Sequence, residues 1–439
     1  MNAHPVFLKL EEAAQPSRSG VVVRMFPGHI EASGPMCAVG DLCSIETSEQ
    51  EPVIAEVAKV DEERIILVPF RQGAQIVPEA RVVSLGAKAK VGVGDEYSGR
   101  IIDALGHPLD QYEKIALTER RDLNSKVLKP LERESPQTVL QTGIRAIDGA
   151  LTLARGQRVG IFAASGVGKT TLIRQLIDQV DTDHCVLCLV GERGREVQSI
   201  WDSISNSGQT KRYTCVAATS DEPAALRVRA VKQALCLAEY WRDQGKHVLL
   251  LMDSVTRFAM ALREVGLAAG EPPTLRAYTP NVFAELPRLV ERCGAAVNGG
   301  AITAIMTVLS ETDDVDDPIV EVMKSLLDGH IVLSRQLAEH GHFPAIDLIA
   351  SVSRQAETLM SDQHLAAAKA LISTLSTYEE AKVMIESGIY KAGSNHAIDR
   401  AISLKEAISK LLCQGQSEAI SFQETVEDLT GCFSNGGDI

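Results

Sequence analysis

Basic charge is in short supply. The chain carries 44 Lys and Arg against 58 Asp and Glu, a net charge of −14, which favours solubility and works against broad nucleic-acid binding. Long apolar runs are also missing: no stretch approaches the roughly 18 apolar residues of a membrane span. The amino terminus, MNAHPVFLKLEEAAQ, lacks the basic-then-apolar pattern of a leader, so the expected location is the cytoplasm. Cysteine is sparse and odd in number, nine in 439 residues, which fits reduced thiols better than a disulfide framework. The one suggestive spacing, Cys185-x-x-Cys188, lies in HCVLCLV, which reads as a buried strand. Residues three apart on a strand face opposite sides and cannot share a metal.

What is present suffices for more than one core, with 45% hydrophobic residues. Residues 1–90 carry short strand patterns from about residue 20 to 87, including GVVVRM, PVIAEVAKV and ERIILVPF; these predict an all-β barrel or sandwich. A polar connection leads into residues 91–355. There apolar runs (RVGIFAA, CVLCLVG, YTCVAAT, HVLLLMD, AITAIMTVL) alternate with helical patterns, which predicts a mostly parallel sheet flanked by helices. Residues 356–439 lose the strand signal and take on helical periodicity, with Leu371, Ile372, Leu375, Tyr378, Met384 and Ile385 marking apolar faces.

The strand RVGIF runs into Ala163-Ala164-Ser165-Gly166-Val167-Gly168-Lys169-Thr170-Thr171 and then into a helix. Glycines there let backbone N–H groups turn inward around phosphates at the positive end of a helix. Lys169 is placed to reach β and γ phosphates, and the Thr170 hydroxyl to ligate Mg²⁺. The first position of the usual G-x-x-x-x-G-K-T pattern is Ala163. The run HVLLLMD ends in Asp253, whose carboxylate would emerge at the carboxyl edge of a buried strand and hold the Mg²⁺ water shell. Glu192 follows CVLCLV at the same edge and is the candidate to orient the attacking water, with an ion pair to Arg193 or Arg195 as the competing reading. Arg354 closes the run DLIASVSR. An arginine delivered by a neighbouring subunit is worth about 10³ to 10⁵ in rate.

These motifs, in this order, resemble the ATP synthase α/β superfamily, and within it the export ATPases of bacterial type III secretion, the flagellum-specific form most closely. RGQRVGIFAASGVGKT, GERGREV, VFAELPRLVERCG and LDGHIVLSRQLAEHGHFPAIDLIASVSR carry the likeness, which runs from about residue 20 to 433. The resemblance implies a RecA-like α/β P-loop core between an amino-terminal β-barrel and a carboxy-terminal helical domain, and an ATPase using ATP and Mg²⁺. It also implies Arg193 near the γ phosphate, Phe343 on the adenine and Arg354 as a trans arginine finger, with Lys169 and Glu192 catalytic and Thr170 and Asp253 on the metal. Ala163 matches the export branch. Implied partners are five further copies of the chain, a stator-like regulator, a coiled-coil stalk, export chaperones with their substrates, and a membrane-embedded gate beside which the ring would sit at the inner membrane. The chain departs from the pattern at Ala277-Tyr278-Thr279-Pro280-Asn281-Val282-Phe283, where Gly-Tyr-Pro-Pro-Ser-Val-Phe is expected, and at Gln355, where an apolar residue is common.

Other readings divide on particular residues. An injectisome ATPase shares every catalytic block, and the barrel segment HIEASGPMCAVGDLCSIE and the ending ISKLLCQGQSEAISFQETVEDL favour the flagellar form. Ala163, and the pairing of Glu192 with Arg354 in one chain, argue against a synthase catalytic subunit. An RNA-translocating ring such as Rho needs stacking aromatics and clustered base, of which the amino-terminal region offers little. A non-catalytic subunit would lack an acidic residue at 192.

Overall fold

The computed structural model describes residues 18–49, 51–71, 73–88, 90–113, 115, 119–125, 127–310 and 317–434. The segment expected to lack a leader lies outside the described residues. Period-two patterning builds the first unit. Strands β1 (Ser19–Phe26), β2 (His29–Ala32), β3 (Asp41–Ile45), β4 (Val53–Val60), β5 (Ile65–Pro69) and β6 (Arg81–Lys88) close into a barrel in the order β1-β2-β5-β4-β3-β6. Val53, Ala55 and Val57 bury every second side chain of β4, as a strand with one face inside must. Val22, Ile45, Leu67 and Val82 fill the interior beside them, and closure removes every strand edge.

The central sheet runs through β7 (Arg100–Ile102), β8 (Arg158–Ala163), β9 (His184–Val190), β10 (Tyr213–Ala218), β11 (His247–Asp253), β12 (Ala301–Leu309), β13 (Gly329–Leu333) and β14 (Ile346–Ser353). Their order is β14-β13-β8-β12-β11-β9-β10-β7. Every neighbouring pair on this path is parallel except β13 with β14. Helices α1 (Lys169–Gln179) and α2 (Gly194–Asn206) cover one face, and α3 (Ala224–Asp243), α4 (Val255–Ala268), α5 (Pro280–Glu291) and α6 (Pro318–Leu326) cover the other. With both faces covered, β9 and β11 are buried along their whole length, which is why they read as continuous apolar runs. Cys185 packs with Leu187 on the α1 side and Cys188 with Val186 on the α3 side, so the two thiols face apart.

The chain ends in three helices, α7 (Asp362–Glu386), α8 (His396–Leu412) and α9 (Phe422–Ser434). Ala367, Leu371, Ile408 and Leu429 join the core on the phosphate-loop side of the sheet, against Ile144 and Ile147. His364 Nε2 donates to the Gly149 carbonyl at 2.8 Å and ties α7 to that segment. The apolar face expected along α7 is only partly buried, with Ala381 the one enclosed residue of its second half. Leu371 is enclosed, whereas Met384 is exposed beside Val383, because the far half of the helix reaches past the core. Among the described residues, no helix is long and apolar enough to cross a membrane.

Candidate functional site

The site begins where β8 stops. Ala163 is the last residue of that strand and is buried; its backbone is not left-handed, so the position tolerates a Cβ. Two glycines further on are different. Gly166 and Gly168 take φ values of 82° and 93°, where an L side chain is strained. Gly168 also leaves α1 without a side-chain cap, so the first-turn N–H groups point outward at the positive end of the helix, open to an anion. Val167 anchors the loop in the core, while Ser165, Gly166, Thr170 and Thr171 face solvent and Ala164 is half-buried.

Because β11 and β9 lie beyond β12 in the same parallel sheet, their carboxyl ends open onto the loop's edge. Asp253 ends β11, only 4% exposed. It forms an ion pair with Lys169 Nζ and accepts a 2.7 Å hydrogen bond from Thr307 Oγ1 on β12. Glu192 Oε1 lies 3.8 Å from the same Lys169 Nζ; this oxygen is buried and has no hydrogen-bond partner. Burial, and then the neighbouring Asp253 charge, raise the Glu192 carboxyl to about 7, while Lys169 opposes the rise. The competing ion pair is not formed: Arg193, the residue before α2, has an exposed side chain 4.0 Å from Glu196. The structure thus brings Lys169, Glu192 and Asp253 together and leaves Arg193 at the rim.

The donor set fits a magnesium ion. Among the described residues there is no cluster of three or more His, Cys, Asp or Glu that could form an all-protein metal cage. A hydroxyl at Thr170 and a carboxylate at Asp253 suit an ion that keeps most of its waters and takes phosphate oxygens. The unpartnered Glu192 oxygen supplies an acceptor for a polar hydrogen at the same place.

A cavity of about 320 Å³ adjoins the loop, lined among others by Gly168, Thr171, Phe343, Pro344 and Gln414. Phe343 is 43% exposed, and a Cβ on Gly168 would meet its ring at 3.4 Å. Its ring thus lies against the phosphate loop at the wall of this cavity. Two contributions carry no motif signal. The 414–416 strap after α8 closes the cavity: Gln414 N–H donates to the Phe343 carbonyl at 2.9 Å, and Gln175 Nε2 on α1 donates to the Gly415 carbonyl at 3.2 Å. Arg257 on α4 packs so tightly on Gly191 that a Cβ there would lie 2.9 Å away, and its Nε is buried without a partner.

Arg354 is elsewhere. Its N–H donates to the Asp328 carbonyl, and the Asp328 N–H to the carbonyl of Arg158, the first residue of β8. The phosphate loop leaves the other end of that strand, roughly 20 Å away at 3.3 Å per residue. Arg354 therefore cannot serve the nucleotide site of its own chain.

The sequence and structure match known proteins over nearly their full length. The model of the ATP synthase alpha/beta family nucleotide-binding domain matches residues 143–353, and that of the T3SS EscN ATPase C-terminal domain matches residues 360–431. The chain is 43% identical to the flagellum-specific ATP synthase of Bacillus subtilis, over 95% of this chain and 96% of that protein. It is 40% identical to the type 3 secretion system ATPase of Xanthomonas euvesicatoria, over 94% and 93%. Its structure aligns, at TM-score 0.86 and 38% identity, with the assembled ATPase EscN in complex with its central stalk EscO from the enteropathogenic E. coli type III secretion system, covering 94% of this chain and 99% of that one.

Proposed function

The chain belongs to the ATP synthase alpha/beta family, in the branch with a type III secretion carboxy-terminal domain, and from that premise we propose that it is the Mg²⁺-dependent, homo-hexameric motor of flagellar protein export. It is an ATPase of the type III export kind. Residues 163–171 wrap the phosphates, Lys169 balances the β and γ charges, and Phe343 packs on the adenine. Thr170 and Asp253 hold the metal, which when bound would neutralise phosphate charge. Glu192 orients the attacking water with its free oxygen, and Arg193 stands near the γ phosphate. The division is a barrel at 1–90, a motor at 91–355 and a helical lever at 356–439.

One observation carries the ring: Glu192 and Arg354 belong to a single chain but lie at opposite ends of its central sheet. Such a chain completes its site only against a second copy, head to tail, and a rotation that closes gives a ring. Edge strand β14 also exposes Ile349 and Val352, each 46% accessible, beside Arg354. EscN assembles with a stalk protein, and a stalk of that kind would meet the outer half of α7. The regulator, chaperones and export gate would hold the ring peripherally at the inner membrane, without nucleic acid.

Specific ATPase activity measured against protein concentration tests this reading. Activity should rise steeply as rings form, and Arg354→Ala should lose about 10³-fold in rate with nucleotide binding retained. Constant specific activity down to the dilute monomer would remove the ring. The flagellar assignment rests on the barrel segment and the carboxy-terminal ending. Deleting the gene should abolish filaments while leaving effector secretion intact; the reverse would make this an injectisome enzyme.

A further inference from the structure

The last turn of α8 leaves carbonyl groups with no partner inside the helix, at the negative end of its dipole. Arg145 meets them. Its Nη1 donates to the Leu411 carbonyl at 3.1 Å and to the Cys413 carbonyl at 3.2 Å, and its Nη2 pairs with the Glu418 carboxylate. The other Glu418 oxygen accepts the Gly415 N–H at 3.0 Å, and the Arg145 N–H donates to Gln414 Oε1 at 3.0 Å. One residue thus holds both ends of the strap that closes the base cavity. The strap depends on such bonds, because residues 415–418 are exposed and bury little apolar surface to offset the entropy of ordering them.

Arg145 is itself firmly seated. Its neighbours Ile144 and Ala146 are buried. The enclosed Asp148 accepts the Thr142 N–H at 3.0 Å and the Gly143 N–H at 2.9 Å, which locks the turn that carries it. The same turn reaches the strap a second time, the Gly143 carbonyl accepting Gln414 Nε2 at 2.6 Å. Arg145 does not line the cavity, so it acts on the strap and not on what the cavity holds. We propose that Arg145 is a positioning residue for nucleotide binding: it pins the strap against Phe343 and so keeps the base cavity formed before the nucleotide arrives. Without the guanidinium, the end of α8 and Glu418 lose their partner, and binding must first order the strap, which weakens it. The phosphate loop lies outside this set of bonds and keeps its shape. The proposal rests on reading the cavity as the base site.

Inorganic tripolyphosphate separates the two halves of the ligand, because it carries a phosphate chain and no base. Displacement of ribose-labelled fluorescent ATP from the full-length protein, with Mg²⁺ present, gives affinities for ATP and for tripolyphosphate. Arg145→Ala should weaken ATP binding at least about tenfold and tripolyphosphate binding by less than about twofold. The KM for ATP should rise with kcat nearly unchanged. Arg145→Lys should recover part of the loss, since an ammonium keeps the charge at the end of α8 but cannot fork to Glu418. Equal losses for both ligands would reveal a general structural role and overturn the proposal, as would an ATP affinity equal to that of wild type. If Arg145→Ala does not fold, Glu418→Gln removes only the charge of the exposed partner. It should show the same selective loss, at least about threefold, and its absence would overturn the proposal. Phe343→Ala tells the two readings apart. If it leaves ATP affinity intact, the cavity is not the base site and the role of Arg145 falls with it. If it weakens ATP binding while Arg145→Ala does not, the base site stands and only the role of Arg145 is lost.

Discussion

In the proposed mechanism Glu192 concentrates the chemistry of the site in one carboxyl group. A group that orients water must be ionised to accept its proton, yet burial and the Asp253 charge hold Glu192 at about 7. Its ionised fraction therefore falls about tenfold per pH unit below that point, and kcat/KM, which reports the free enzyme, should fall with it. Above about pH 8 the profile should level off. Glu192→Gln keeps the shape and loses the charge, so it should bind nucleotide but lose at least about 10²-fold in turnover, together with the limb near pH 7. A pH series of kcat/KM on both proteins checks this, and an unchanged limb in the variant would assign it to another group. Thr307 shows the limit of motif reading at this scale. Its hydrogen bond fixes one Asp253 oxygen, but an apolar strand with two threonines gives no sign of which of them will meet a carboxylate.

Secondary elements show more clearly what a sequence can and cannot disclose. The departure from the family pattern at 277–283, which leads into α5, has a backbone consequence at its first residue. Arg276 and Ala277 sit at φ values of 50° and 60°, and the expected glycine at 277 would adopt that conformation without strain. Ala277→Gly should stabilise the protein by up to about 1 kcal/mol, read as a higher urea midpoint at unchanged slope; a lower midpoint would mean the loop is not strained. The amino-terminal ends of the sheet strands hold two buried imidazoles. His184 stacks on Trp241 with centroids 3.6 Å apart and bonds Thr214 Oγ1 at 3.0 Å, while His247 bonds Thr303 Oγ1 at 2.8 Å. Burial lowers the first to about 3 and the second to about 4. Both lie below the unfolded value, so their stabilisation is complete above about pH 6.5 and is lost as pH falls toward the folded values. Each histidine should cost about 2 kcal/mol between pH 7 and pH 5, and His184→Asn should flatten the fall in thermal midpoint over that range. The strands, the phosphate loop and Asp253 were legible because buried parallel strands must be apolar and phosphate chemistry demands glycine and lysine at fixed spacing. The reversal of β14, the 414–416 strap and the exposed end of α7 were not. The strap depends on elements that meet across hundreds of residues, and the reversal of β14 on which neighbour it pairs with; local periodicity encodes neither.

At the scale of the whole molecule, the proposed ring gives each chain two half-sites: the nucleotide with Glu192 at one end of the sheet, Arg354 at the other. A variant lacking Glu192 can still lend its arginine to a neighbour, and a variant lacking Arg354 can still use a neighbour's. Glu192→Gln and Arg354→Ala should each be nearly inactive alone, for different reasons. Mixed in equal amounts before ring assembly, half of the chains retain the carboxylate and half of their neighbours retain the arginine. About a quarter of the interfaces are then complete, and up to about a quarter of wild-type activity should return if interfaces act independently. Rescue above that fraction is not available to independent interfaces. Rescue far below it would mean that sites fire in sequence around the ring, so that one dead interface silences several. No rescue at any ratio, with mixed rings demonstrated by mass, would show that Arg354 serves something other than its neighbour's nucleotide, and the division of the site between two copies would be lost.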